Sequence, residues 1–166
     1  MHCRENNNLM DYRFLAPLEE HTVEIQVRTL RLDDYEALIA LWIRAGLPYE
    51  PSGRDSRASV SAQMMRDPDL FLGAFQENRL VGAVIGTFDG RKGWINRLAV
   101  DPREGRRGIA QSLIEEIENA LEDRGARVIA VLVEAGNASS LGLFQKCGYT
   151  THRDILYLTK RDSNQV

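Results

Sequence analysis

The sequence predicts one mixed α/β (α+β) domain with the element order β-α-α-β-β-β-α-β-α-β, and three observations carry that expectation. Short stretches alternate apolar and polar residues at the strand period, longer ones repeat at the helical period, and Gly, Pro and Asp punctuate the joins. An apolar strand over 98–100 also runs into a Gly- and Arg-rich turn that opens directly into a long helix. With 166 residues, 43% of them hydrophobic, the chain suits a single domain that buries roughly 70% of its unfolded surface.

Each element has its own local reason. Residues 1–22 show no sustained period and carry the run Asn6 to Asn8, so they read as a loose N-terminal extension or added leader, with Tyr12, Phe14 and Leu15 able to dock. The domain proper spans 23–162, and 163–166 is a tail. Val23, Ile25 and Val27 alternate with polar residues as a half-buried strand. Asp33 is the expected N-cap of the first helix, with Glu36 three residues on and Gly46 as its left-handed stop. Two Pro and a Gly make 47–55 a loop, and a second helix runs from about Ser56 to Arg66, ending at Asp67-Pro68.

Strands follow over 70–75 and 80–88, joined by the polar turn Gln76-Glu77-Asn78-Arg79, and after Asp89-Gly90 a third spans 94–100. Ile109, Leu113, Ile117 and Leu121 give the long helix over 108–123 one apolar face, closed by Gly125. The run 128–133 is nearly pure apolar and reads as a strand buried on both sides. A short helix over 137–147 stops at Gly148, and 149–160 reads as a final pair of strand segments.

Composition narrows the function. A net charge of −3 gives no bulk reason to bind nucleic acid or an acidic membrane. The 18 Arg against three Lys still leave local Arg clusters free to clamp phosphates or carboxylates. Two cysteines, Cys3 and Cys147, and three scattered histidines give neither a disulfide framework nor metal-ligand spacing, so no metal is expected. No apolar run reaches the roughly 18–20 residues of a membrane span, and the polar N-terminus lacks a signal-peptide apolar region. The expected location is the cytoplasm.

The chemistry is expected between Leu98 and Ala110. Unpaired N–H groups at the start of a helix carry the positive end of its dipole. Gly105 and Gly108 let the backbone approach a ligand, while Arg103, Arg106 and Arg107 add charge, which together describe a pyrophosphate cradle. It is neither a Walker A loop nor a GxGxxG turn. Read as ordinary structure, the same residues are a solvated strand-to-helix turn.

This segment resembles the signature of the GNAT N-acetyltransferases: Arg or Gln, two residues, Gly, one residue, Gly or Ala. Gly108-Ile109-Ala110 supplies its second half. The similarity covers about 23–162, including Asn137 and the run Leu143 to Tyr149, and within the family it is nearest the YpeA-like group of small bacterial enzymes. It implies a mostly antiparallel mixed sheet flanked by helices, and transfer of an acetyl group from acetyl-CoA to an amine. Two departures stand out. Gly105 and Arg106 occupy places where the family usually has Arg or Gln and Gly. Phe144 stands where it commonly has a Tyr that protonates the departing thiolate, and Phe has no donor.

The resemblance implies that the backbone of Leu98, Ala99 and Val100 pairs with the pantetheine arm. It gives the pyrophosphate to Gly105, Arg106, Arg107, Gly108, Ile109, Ala110 and Gln111, and the pantetheine amides to Asn137, which equally reads as a helix N-cap. Phe144 packs against the thioester end. Glu134 is the first candidate for general base, in competition with a plain solvated carboxylate. Tyr49, Asn96 and Arg97 are candidates for the acceptor side, as are Glu50 and Asp55 in the same loop. His152 reads as structural, Cys147 as a buried inert thiol, and Trp42, Trp94 and Met64-Met65 as core or cleft wall. The implied partner is an amine acceptor, either a small molecule or a protein amine, with a homodimer among the options and neither nucleic acid nor membrane. A non-catalytic acyl-CoA-binding module is the alternative that Phe144 motivates. An RNA-binding reading of the Arg cluster lacks an aromatic platform.

Overall fold

The computed structural model describes residues 24–160. The N-terminal extension over 1–22, Val23 and the 163–166 tail lie outside the described residues. Strand β1 (Ile25–Thr29) leads to helix α1 (Tyr35–Arg44) through a 3₁₀ turn at Leu32–Asp34. Asp34, rather than Asp33, fixes this start. Its Oδ2 accepts from the Arg31 N–H at 2.7 Å, and both its oxygens receive the Arg28 fork from β1 at 2.8 and 3.0 Å. A carboxylate held by an Arg and a backbone N–H outweighs the bare capping spacing of its neighbour. Gly46 ends the helix with φ +71°, as expected. Ser56 caps α2 (Arg57–Arg66) by accepting from the Ser59 N–H.

Strands β2 (Phe71–Gln76), β3 (Arg79–Phe88) and β4 (Gly93–Val100) form a meander, followed by α3 (Ile109–Asp123), β5 (Ile129–Val131) and α4 (Ala138–Lys146). The sheet order is β1-β2-β3-β4-β5, antiparallel throughout except for the parallel β4–β5 pair. Two apolar clusters result. Leu38, Leu41 and Trp42 of α1 and Val60 and Met64 of α2 pack with Phe71, Phe75, Ala83, Ile85 and Ala99. The α3 stripe Ile109, Leu113, Ile114, Ile117 and Leu121 packs with Leu72, Val84 and Ile95, and α4 adds Phe144. Met65 is 76% exposed and belongs to neither cluster.

Two expectations at the C-terminal side are corrected. The 128–133 run is not buried on both sides, because only Ile129–Val131 pairs, and only with β4. Val128 and Leu132 are exposed at the outer edge of the sheet. The final strand pair does not form among the described residues, and Ile155–Leu158 are exposed without regular structure. Alternation alone does not make a strand, which needs a ladder, and a three-residue β5 offers little of one. Among the described residues no helix is long and apolar enough to cross a membrane.

Candidate functional site

The site begins with an irregularity in β4. Gly86 pairs with Ile95 and the next residue back, Ile85, pairs with Arg97, so Asn96 has no counterpart on β3. It is a β-bulge, which bends a strand and raises its twist. The parallel ladder to β5 runs Gly93↔Ile129, Trp94↔Ala130, Ile95↔Val131 and stops at the bulge. Beyond it Arg97, Leu98, Ala99 and Val100 pair with β3 alone. On the β5 side these four residues have no ladder partner among the described residues, which leaves backbone donors and acceptors on that edge. The bulge also reverses the alternation. Ile95, Leu98 and Val100 pack on the α3 side, whereas Ala99 packs on the α1 side.

At the end of β4 the chain enters a charged turn. Asp101 is 1% exposed and accepts from the Arg103 N–H at 3.1 Å and the Arg103 guanidinium at 2.9 and 3.0 Å. Arg44 of α1 adds a bond at 3.0 Å and Arg79 of β3 one at 3.5 Å. The Arg103 guanidinium holds the Asp101 carboxyl well below the usual carboxylate range, against the opposing effect of burial. Glu104 is likewise lowered by Arg79 and Arg107, its two ion-pair partners. The charges of Arg103 and Arg107, which the sequence offers to a ligand, are therefore shared with carboxylates that brace the turn.

Arg106 has no ion-pair partner among the described residues. It sits at φ +65° and Gly108 at φ +78°, a conformation only Gly adopts freely. Gly105 and Gln111 are exposed, and Ile109 turns its side chain into the core. Among the described residues no side chain caps α3, whose first internal bond joins the Ser112 N–H to the Gly108 carbonyl at 3.0 Å. The N–H groups of Gly108, Ile109, Ala110 and Gln111 precede the first intrahelical acceptor, a short turn after the end of β4. A Cβ built on Gly108 meets nothing within 4 Å. The space above the helix start is open.

The acceptor-side candidates separate. Asn96 is exposed and donates to Thr87 Oγ1 at 3.0 Å. Tyr49 is half-buried against the α1–α2 cluster. Arg97 reaches back into the protein. Its Nη1 donates to the Pro48 carbonyl at 2.9 Å, its Nη2 to Asp55 Oδ2 at 2.9 Å, and its guanidinium lies 4.4 Å from the Trp42 ring centroid. Burial lowers its pKa and the Asp55 carboxylate opposes that.

The remaining candidates lie beyond β5. Glu134 is exposed in the turn to α4, where its carbonyl accepts from the Asn137 N–H at 2.9 Å. Asn137 is a helix cap, its Oδ1 accepting from the Ser140 N–H at 3.0 Å. Phe144 is 5% exposed and meets Tyr149 edge-on, with ring centroids 5.1 Å apart. Tyr149 donates to Glu118 Oε1 at 2.5 Å, and burial together with Glu118 raises its pKa. Burial and Glu118 also raise the Cys147 thiol, which leaves it a poor nucleophile. His152 is exposed. The bulge, and the burial of Asp55 against Arg97, are the features that sequence reasoning missed. Their only trace is the interruption of apolar alternation at Asn96-Arg97.

Comparison with known proteins agrees with this geometry. Residues 26–149 match the model of the Acetyltransferase (GNAT) family. An acetyltransferase of Pectobacterium atrosepticum is 37% identical over 139 residues, covering 82% of this chain and 95% of its own length. Among solved structures, the PaiA N-acetyltransferase of Thermoplasma acidophilum in complex with coenzyme A has a TM-score of 0.66 at 23% identity, over 78% of this chain and 91% of that one. The aminoglycoside N-acetyltransferase AAC(6')-Iy, bound to a bisubstrate analogue, has a TM-score of 0.68 at 16% identity, over 83% of this chain and 99% of that one. At those identities the two structures establish a shared fold.

Proposed function

The chain belongs to the GNAT family of acetyltransferases, and from that premise we propose that it moves the acetyl group of acetyl-CoA to a primary amine by direct attack in a ternary complex. The observation that carries the reading is the parting of β4 from β5 at the Asn96 bulge, beside an uncapped helix start. The residues fit the co-substrate. An extended amide-bearing arm needs an unpaired strand edge, which Leu98, Ala99 and Val100 offer. A pyrophosphate needs convergent N–H donors, which Gly108 to Gln111 supply, with the Arg106 guanidinium beside them. Asn137 acts as a cap through Oδ1, and its Nδ2 is left to donate to the arm.

Acetyl-CoA, when bound, supplies an acetyl group on a good leaving group. The protein's task is to orient it, bring in an uncharged amine and take up a proton. A free alkylamine has a pKa of about 10.4, so a base or water chain must remove that proton. Glu134 is the base we propose, an exposed carboxylate in the turn leaving β5. Neither Phe144 nor Tyr149 offers a free proton to the departing thiol. Phe144 has no donor, and the Tyr149 hydroxyl already donates to Glu118. A thiol pKa near 8.5 lets the thiolate leave unaided at neutral pH. Asp55 is engaged by Arg97, so Glu50 is the loop carboxylate available to attract a cationic amine.

The test is CoA release from acetyl-CoA against a panel containing a polyamine, an aminoglycoside and a peptide with a free N-terminal alanine. Turnover with any of them is the expected result. Binding of acetyl-CoA without release would make the chain a non-catalytic acyl-CoA binder, and no binding at millimolar acetyl-CoA would remove the proposal.

A further inference from the structure

The Asn96 bulge does a second thing. Regular alternation from Ile95, which faces α3, would aim Arg97 at α3 as well. The extra residue turns it to the opposite face, over Trp42 of α1 and under the loop over 47–56. There two acceptors of the loop, distant from Arg97 in sequence, close on it. Asp55, 42 residues away and 3% exposed, takes the Nη2 bond and also accepts from the Glu50 N–H at 2.9 Å. The Pro48 carbonyl takes Nη1, and the Tyr35 hydroxyl donates to the Asp55 carbonyl at 2.9 Å. The loop is thus held at its start, by Pro48, and at its end, by Asp55. The Arg97 side chain is only 15% exposed, so it is a fastening and not a group that meets ligand.

We propose that Arg97 and Asp55 form a latch that positions the loop over 47–56 as the wall on the acceptor side, so that the bulge opening the co-substrate groove also sets the approach of the amine. This rests on the acetyl-transfer reading above. Arg97 is a positioning residue. Its planar fork bridges two acceptors while stacking on an indole, a set of contacts that Lys cannot reproduce as a whole. Arg54, whose Nε is 3.6 Å from Asp55 Oδ2 and whose side chain is 47% exposed, is outside the latch.

The experiment compares the wild type with Arg97→Leu, Arg97→Lys, Asp55→Asn and Arg54→Ala. The acceptor is whichever of the three panel amines the wild type turns over best. A displaced wall loses contacts to the amine that are made equally in the ground state and the transition state, so Arg97→Leu and Asp55→Asn should raise the amine KM on the order of tenfold. Acetyl-CoA affinity, measured by calorimetry, should stay within about twofold, and kcat should change far less than KM. Amide hydrogen exchange over 47–56 should quicken in the same variants, Arg97→Lys should recover part of the loss, and Arg54→Ala should match the wild type. An amine KM that stays put while the loop exchanges faster overturns the latch, as does a parallel rise of amine KM and acetyl-CoA dissociation constant. A wild type that releases no CoA with any panel amine overturns the function itself and the latch with it. An active wild type with unmoved variants overturns the latch alone.

Discussion

Replacing Gly108 by Ala should separate folding from the proposed phosphate binding, because the two effects have different causes. Gly108 caps α3 at φ +78°, and a Cβ there would meet no atom within 4 Å. The protein therefore has room for the methyl group and suffers only the strain of a left-handed alanine, about 1–2 kcal/mol. For a chain of this size that is a fall in Tm of roughly 2–8 °C. A bound pyrophosphate would occupy the same space against the N–H groups of Gly108 to Gln111. Acetyl-CoA at about 100 times its wild-type dissociation constant should stabilise the wild type by roughly 2.7 kcal/mol. If the variant binds a hundredfold more weakly, the same concentration returns only about 0.4 kcal/mol. The assay is thermal denaturation of both proteins, with and without acetyl-CoA at that one concentration. Gly108→Glu, which adds a negative charge at the cradle, should show no ligand-dependent shift at all. A Gly108→Ala protein that melts lower yet gains the full wild-type increment would refute the placement of phosphate at this helix start.

Three further outcomes follow from the packing and the charges. A Cβ on Gly82 would stand 2.8 Å from Ile109 Cγ2 and 2.9 Å from Leu113 Cδ1, so Gly82→Ala should push α3 off the sheet and cost about 1–3 kcal/mol, read as a lower urea midpoint at unchanged m. The Asp101 carboxyl is depressed, chiefly by Arg103, so its contribution to stability is complete above its unfolded pKa of about 3.9 and is lost as the pH falls towards the folded value. Asp101→Asn should therefore lower stability by about 1–3 kcal/mol at pH 7 and flatten the acid side of the stability–pH curve; an unchanged acid slope would count against the Asp101 network. Phe144 is 5% exposed with its ring edge-on to Tyr149, so Phe144→Tyr should keep or raise turnover with acetyl-CoA affinity within about twofold, general-acid help being worth 10²–10⁴-fold. Phe144→Ala should instead cost about 3–5 kcal/mol of stability and weaken acetyl-CoA binding. Loss of most activity in a folded, acetyl-CoA-binding Tyr variant would show that this position requires an apolar ring.

What the sequence disclosed follows from how far apart the deciding residues lie. The start of α2 near Ser56, the helix stops at Gly46, Gly125 and Gly148, and the apolar stripe of α3 each depend on residues within a turn or two, and each is found where the sequence puts it. The proposed phosphate cradle is local in the same way, since Gly105 to Gln111 are consecutive. Even there, the partners that occupy Arg103 and Arg107 include a buried carboxylate whose environment no local pattern displays. The helix start at Asp34 turned on Arg28, six residues earlier on a strand, and the capping spacing alone picked the wrong aspartate. The missing final strands failed differently, because their pattern is real but β5 gives them little edge to pair with. The bulge lay furthest out of reach, since a bulge is a property of two strands in register. One extra residue at position 96 decides which face Arg97 serves, and under the proposed function which backbone edge takes the co-substrate arm. It follows that deleting Asn96 should be more damaging than any substitution there. A substitution keeps the register, whereas the deletion returns Arg97 to the α3 side and closes β4 back onto β5, so the acceptor loop and the groove fail together. An Asn96 deletion that folds and retains both acetyl-CoA binding and amine turnover would show that the bulge controls neither.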